Sequence, residues 1–114
     1  MAKLQTLKMP SGWCIDINNF YDLEPTKENL DRWFSGSVLI GGTHQGSGLN
    51  FDSRFEKKGD LGEFVLVLQQ LLFNSKGKVD KVEVLEIKRF LKKEDFIKAL
   101  EYFMEYGYKD ETKQ

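Results

Sequence analysis

The sequence predicts an α+β domain: an antiparallel sheet of four to five strands, a C-terminal amphipathic helix on one face and a short N-terminal helix at an edge. Three observations support this. Residues 49–56 alternate with period two, as expected for a strand with one wet face. Residues 64–68 are an unbroken apolar run, typical of a strand buried on both faces. Residues 93–106 carry one apolar stripe at helical spacing.

The first strand is predicted at residues 13–18. This segment follows a Pro-Ser-Gly turn and places Trp13, Ile15 and Ile17 on one face. A loop over residues 19–25 should come next.

A short helix is predicted over residues 27–34. Thr26 is a favourable N-cap, and Leu30, Trp33 and Phe34 fall on one side of the two turns that follow. Because so short a helix is marginal by itself, it must dock on the sheet.

A second strand is predicted at residues 37–40, followed by a glycine-rich segment over residues 41–48. This segment has four glycines in eight residues. We therefore expect a turn or a mobile loop before the central hairpin.

The central hairpin joins the strand at residue 49 to a strand near residues 63–70 through a turn at 57–62. The second half also fits a helix, because several apolar residues between 61 and 72 recur at the 3.6-residue period. Enrichment in β-branched and aromatic residues favours the strand.

Residues 79–90 form a further strand with an interrupted pattern. Val82 and Val84 share one parity, whereas Leu85 and Ile87 share the other. A β-bulge at Val84-Leu85 would restore a single inward face.

The final helix over residues 93–106 has Glu94 and Asp95 in its first turn and Gly107 where it should end. Residues 109–114 should form a frayed polar tail.

Composition indicates one domain spanning residues 1–114. The chain has 17 Lys plus Arg against 18 Asp plus Glu and a net charge of −1, which argues against a dedicated nucleic-acid binder. A single cysteine, no apolar segment of membrane-spanning length and no apolar signal region predict a cytoplasmic protein with no membrane partner.

Residues suited to catalysis or metal binding are few. His44 is the only histidine, so a thiolate pair with Cys14 is the one nucleophilic arrangement to consider, against a buried structural cysteine and a surface-loop histidine. No ligand spacing joins His44 to Asp16, Asp22 or Asp52. The glycine-rich segment lacks the Gly-Lys-Ser/Thr ending of a phosphate loop. We expect no catalytic residue, no metal and no cofactor.

Carboxylates and aromatic residues cluster in the first third of the chain. They form either a solvated acidic face or a contact patch for the basic groups of a protein partner, anchored by aromatic side chains. The residues predicted to bind a partner are Asp16, Tyr21, Asp22, Glu24, Asp31, Trp33 and His44.

The order of segments also carries a resemblance. It consists of the opening Met-Pro-Ser-Gly-Trp-Cys-Ile-Asp at residues 9–16, the Asn-Asn-Phe-Tyr-Asp loop at 18–22, a helix, a strand meander and a closing amphipathic helix. This layout resembles small bacterial immunity proteins of polymorphic or contact-dependent growth-inhibition systems. The resemblance implies a cytoplasmic inhibitor that binds the C-terminal domain of a cognate toxin, often a nuclease. Many such inhibitors are distinctly acidic, which this chain is not.

An alternative function is a small-molecule or nucleic-acid binding domain. It would use the polar face of the sheet at Asn50, Asp52 and Arg54. Neither hypothesis requires an enzyme, and the sequence does not predict the oligomeric state.

Overall fold

The computed structural model describes residues 3–30, 33 and 38–108. Within them the chain forms five strands and one helix in the order β1 to β5 and then α1. Their bounds are β1 Trp13–Asn18, β2 Ile40–His44, β3 Leu49–Lys58, β4 Leu61–Phe73, β5 Val79–Phe90 and α1 Lys93–Tyr106.

The five strands form one antiparallel sheet in which each strand pairs with its neighbour in the chain. The β3–β4 hairpin is its regular part, with an unbroken register from Leu49↔Gln70 to Lys58↔Leu61. Gly59 in the connecting turn has φ +63°, a conformation that glycine adopts without steric cost. The α+β class and the strand predicted over residues 63–70 are confirmed, and the observed strand extends to Leu61 and Phe73.

The predicted bounds of β1 and α1 are also confirmed. Gly107 ends α1 with φ +77°, and its N–H donates to the Phe103 carbonyl at 2.8 Å. This positive φ is a conformation that glycine adopts without steric cost.

The prediction for residues 37–48 is wrong in its placement of the second strand. β2 begins at Ile40 and includes Gly41 and Gly42, so half of the expected loop is a strand. A Cβ at Gly42 would lie 2.9 Å from the Phe51 ring and 3.0 Å from the Cys14 carbonyl oxygen. Glycine therefore serves close packing here, and only residues after His44 form the turn to β3.

The short N-terminal helix is not among the elements of the described residues. Lys27, Glu28 and Asn29 form a turn, and Leu30 and Trp33 have helical geometry. The remaining positions of the predicted helix, 31, 32 and 34, lie outside the described residues, as does the tail at 109–114.

The bulge predicted in the last strand is confirmed. Leu68 pairs with Glu86 and Gln69 with Val84, which leaves Leu85 as the extra residue. The expected inward face is wrong, however. Val82, Val84 and Ile87 remain about half exposed, because they lie on the side of the sheet opposite α1.

The core lies between α1 and the other side of the sheet. Phe96, Leu100, Phe103 and Met104 on the helix pack on even-numbered β4 residues and odd-numbered β3 residues. Phe64 is central, because its ring lies 5.0 Å from Phe55 and 5.3 Å from Phe96, measured between ring centroids. Aromatic pairs of this kind add to the stabilisation from apolar burial.

Polar contacts fix both ends of α1. At its C-terminal end, the Trp13 indole N–H donates to the Met104 carbonyl at 2.9 Å. At its start, the buried Lys93 ammonium donates to the Leu23 carbonyl at 3.1 Å and lies 3.5 Å from the Asp22 carboxylate. These contacts attach β1 and the following loop to the helix.

Ser53 completes the junction of β2 and β3, where the ladder has only two register pairs. Its hydroxyl accepts from the Ile40 N–H at 3.0 Å and donates to the Ile40 carbonyl at 2.6 Å, and the side chain is buried. The Ser53 side chain thus makes the two hydrogen bonds that a backbone residue of β3 would otherwise make with Ile40.

We predict that Ser53→Ala lowers the free energy of unfolding by about 1–3 kcal/mol, because both Ile40 groups lose a buried partner. Urea denaturation provides the measurement, and Ser75→Ala in the exposed turn after β4 is the control. A loss equal to that of the control would contradict the role assigned to Ser53.

Candidate interaction surface

The side of the sheet opposite α1 has no covering element among the described residues, and we call it the open face. Directly paired residues of an antiparallel sheet share a face, so the register assigns its members. They include Cys14, Asp16, Thr43, Asn50, Asp52, Arg54, Glu56, Glu63, Val65, Val67, Gln69, Leu71, Phe73, Val79, Val82, Val84, Ile87 and Arg89.

The part of the open face formed by β1 to β3 is polar. The Thr43 hydroxyl donates to the Asp16 carboxylate at 2.8 Å, and the Asn50 amide donates to Thr43 at 2.8 Å. Asp16 lies at a register shift in β1, which brings its carboxylate to this face. The three side chains form an ordered row with a negative charge at its outer end.

An ionic cluster occupies the β3–β4–β5 part of this face. Arg89 donates to Glu56 at 2.8 Å and to Glu63 at 2.9 Å. Arg54 pairs with Glu56, and Lys58 lies 3.4 Å from Glu63. Hydrogen bonds from Arg89 hold the pKa values of both glutamates below their ordinary range, and these carboxylates raise the pKa of Arg89.

The ionic cluster explains why the open-face side of β4 is buried although no second layer of structure covers it among the described residues. Val65 is fully buried, and its register neighbours on this face are Arg54 and Arg89. Because arginine stems are apolar, we attribute the burial of Val65 to these two side chains, which the glutamates hold in place.

Next to the ionic cluster lies a row of exposed apolar side chains, which we call the apolar stripe. Each member is between 46% and 53% exposed: Phe73, Val79, Val82, Val84 and Ile87. Isolated exposed apolar residues are ordinary, but a contiguous group on one sheet face commonly marks an interaction site.

The sequence did not lead us to predict this stripe as an exposed surface. Its signal was the alternation of residues 79–87, which we interpreted as an inward face. Nothing in one strand's pattern distinguishes a covered sheet face from an uncovered one, because both alternate with period two.

The structure separates the predicted contact residues. Asp16 lies on the open face, whereas Asp22 and Glu24 are exposed beside the start of α1, and Tyr21 is exposed where it forms an isolated bridge with Leu4. Asp22 and Glu24 lie 3.5 Å and 3.9 Å from the Lys93 ammonium. Their charges therefore already have an intramolecular partner.

Trp33 occupies the core instead of the surface. Its indole is 7% exposed and packs 5.4 Å from Phe55 and 5.5 Å from Phe64, between ring centroids. We therefore leave Trp33 out of the proposed contact surface. Asp31 lies outside the described residues.

Cys14 and His44 do not meet. Cys14 pairs with Thr43 in register, whereas His44 pairs with Trp13, and these two pairs lie on opposite faces. The expectation of a buried cysteine is wrong, because Cys14 is exposed and accepts a hydrogen bond from Gln45.

His44 lies half-buried at the end of β2 and is not a loop residue. The Ser47 backbone N–H donates to its Nδ1 at 3.1 Å, and the Ser47 hydroxyl lies 2.8 Å from the same nitrogen. Its ring centroid lies 5.4 Å from that of Trp13. The imidazole therefore helps to order the turn after β2.

No group of three or more His, Cys, Asp or Glu side chains within the described residues is arranged to hold a metal ion. In the same part of the chain, no helix has both the length and the apolar character required to cross a membrane.

Comparison with known proteins yields no assignment: no family model matches the chain, and neither a curated protein nor a solved structure matches it. The function must be inferred from the surface itself.

We predict that Glu63→Gln makes the stability of the protein less sensitive to acid. Because the folded pKa values of Glu56 and Glu63 lie below ordinary glutamate values, the cluster stabilises the fold above the unfolded pKa. This contribution is lost as the pH falls through the folded pKa values.

Thermal unfolding between neutral and strongly acidic pH provides the measurement. Glu63→Gln should start from a lower Tm at neutral pH and then decline less steeply. Glu105→Gln, at an exposed position on α1, is the control and should keep the wild-type profile. Parallel profiles for Glu63→Gln and the wild type would contradict the role of the cluster.

Proposed function

We propose that this chain is a protein-binding module, namely a bacterial immunity protein that neutralises a toxin domain encoded beside it and binds that domain on the open face. One observation carries this proposal. A five-stranded sheet is covered on one side, and its open side combines an exposed apolar stripe with ordered polar and ionic groups.

The composition of the open face suits a protein partner. Protein interfaces have an apolar centre bounded by polar groups, and aromatic and arginine side chains are common within them. The apolar stripe would supply the centre, with Phe73 as an aromatic anchor. Arg89 and the Asp16–Thr43–Asn50 row would lie around it.

The charge of this face also fits the toxin class. A nuclease domain needs basic groups to hold the phosphate backbone, and carboxylates on an inhibitor can pair with those groups. Asp16 and Asp52 are carboxylates on the open face. The remaining predicted acids, Asp22 and Glu24, lie beside α1 and could extend the contact only at its margin.

The small-molecule or nucleic-acid alternative receives less support. Asn50 donates to Thr43, Arg54 pairs with Glu56, and the Asp52 carboxylate accepts from the Ser53 N–H. Two of the three side chains proposed for that site, Asn50 and Arg54, are thus engaged with the side chains of Thr43 and Glu56, so a ligand would have to compete with these partners.

The decisive experiment is a growth-rescue assay. The open reading frame adjacent to this gene is expressed in a neutral bacterial host with and without this protein. We expect the C-terminal part of the neighbour to arrest growth, this chain to restore it and the two proteins to co-purify. A harmless neighbour, or arrest that persists beside folded protein, would refute the proposal.

We predict that Asp16→Lys combined with Asp52→Lys weakens toxin binding at least about tenfold, because repulsion replaces attraction at a basic partner. Calorimetric titration with the purified toxin domain provides the measurement. The control combines Asp60→Lys in the β3–β4 turn with Glu105→Lys on α1, both exposed positions outside the open face. Equal affinity of the two double variants would exclude the open face as the binding surface.

A further inference from the structure

The outer backbone edge of β5 has no strand partner among the described residues, because β5 is last in the sheet order. It is also long, with 12 residues and no proline. Proteins usually shorten or cover such an edge, because it offers a row of backbone donors and acceptors to another chain.

We propose that two copies of this chain pair through β5, antiparallel, about a two-fold axis between Leu85 and Glu86. The two five-stranded sheets would join into one continuous sheet with a common open face. A two-fold arrangement is the commonest symmetry of soluble homo-oligomers, and it uses the same edge on both copies.

The side chains of β5 set the possible registers. Val84 pairs with Gln69 and Ile87 with Val67, so both lie on the open face. Glu83 pairs with Gln70 and Lys88 with Leu66, which places both on the α1 side. Because the bulge at Leu85 reverses the alternation, few two-fold registers bring residues of the same face together.

The proposed axis satisfies this condition and also matches the charges. Val84 lies opposite Ile87 of the second copy on the open face, and Glu83 lies opposite Lys88 of the second copy on the α1 side. Symmetry repeats each pair, giving two apolar and two oppositely charged pairs. Such directly opposed pairs are the main source of cross-strand stabilisation.

A neighbouring register also matches the faces but fails on charge. An axis between Val84 and Leu85 would place Glu83 opposite Glu86 of the second copy and Lys81 opposite Lys88 of the second copy. Like charges directly opposite one another destabilise a strand pair. Of these two registers, charge favours the axis between Leu85 and Glu86.

The bulge is compatible with this axis. The Leu85 carbonyl accepts a hydrogen bond from the Tyr108 hydroxyl at 3.4 Å, so the ladder need not continue through it. With the axis beside Leu85, the bulges of the two copies lie at the centre, and pairing extends on either side between Lys81 and Phe90, short of the second register shift of β5 at Asp80.

The expected dimer is weak. A single strand pair buries less than the roughly 1,200–2,000 Å² of stable protein interfaces, so a dissociation constant on the order of 10 μM is reasonable. The pairing leaves the open face uncovered, so it neither requires nor prevents toxin binding there.

Charge reversal tests the axis. In Glu83→Lys two lysines face each other across the edge, and in Lys88→Glu two glutamates do so. Each variant should dimerise at least about tenfold more weakly than the wild type. The combined Glu83→Lys/Lys88→Glu variant restores opposite charges and should dimerise as the wild type does.

Sedimentation velocity over a range of protein concentrations provides the measurement, with circular dichroism to show that each variant is folded. Glu105→Lys and Lys98→Glu on the exposed side of α1 make the same charge changes away from the edge and should leave dimerisation unchanged.

Three results would overturn the proposal: a wild type that stays monomeric up to about 1 mM, single reversals that dimerise normally, or a double variant weaker than both. If the chain is monomeric while these charge reversals alter toxin binding, then a strand of the toxin pairs with the β5 edge, and self-pairing is excluded. The growth-rescue assay tests the immunity function separately, so the failure of either proposal leaves the other standing.

Discussion

One constraint governs the described part of this structure: the 14-residue helix α1, together with Phe20 and Trp33, must bury one face of a five-stranded sheet. Phe96, Leu100, Phe103 and Met104 meet the aromatic side chains of the sheet and form the core with them. Polar contacts at both ends fix the helix, through Trp13 at one and Lys93 at the other. No equivalent element lies over the opposite face among the described residues, so the properties of that face follow from this asymmetry.

Charged side chains cover part of the apolar surface on the open face. β4 is apolar on both sides, and Val65 would be wet without the arginines on either side of it. Glu56 and Glu63 hold Arg89 by hydrogen bonds, which gives the aliphatic stem a fixed position. Surface ion pairs contribute little stability on average, so the importance of this cluster lies in the apolar surface that it covers.

Beyond the reach of this cluster, Val82, Val84 and Ile87 on β5 remain exposed next to an unpaired edge. The face and the edge are distinct features with distinct physical requirements. The face offers apolar area and suits a folded partner, whereas the edge offers backbone hydrogen bonds and suits a strand. Their separation allows the toxin-binding and self-pairing proposals to coexist.

The sequence by itself determined the α+β class, the bounds of β1 and α1, and the bulge at Leu85, because these depend on side-chain periodicity and local turn chemistry. It misplaced β2, because Gly41 and Gly42 suggested a loop, whereas the structure shows that a Cβ at Gly42 would lie 2.9 Å from the Phe51 ring. Only the tertiary structure decided which face α1 covers, and thereby placed Trp33 in the core and Val84 at the surface. The reason is physical. Alternation along a strand shows that one of its faces is apolar, but whether another element covers that face depends on packing between residues that are distant in the chain.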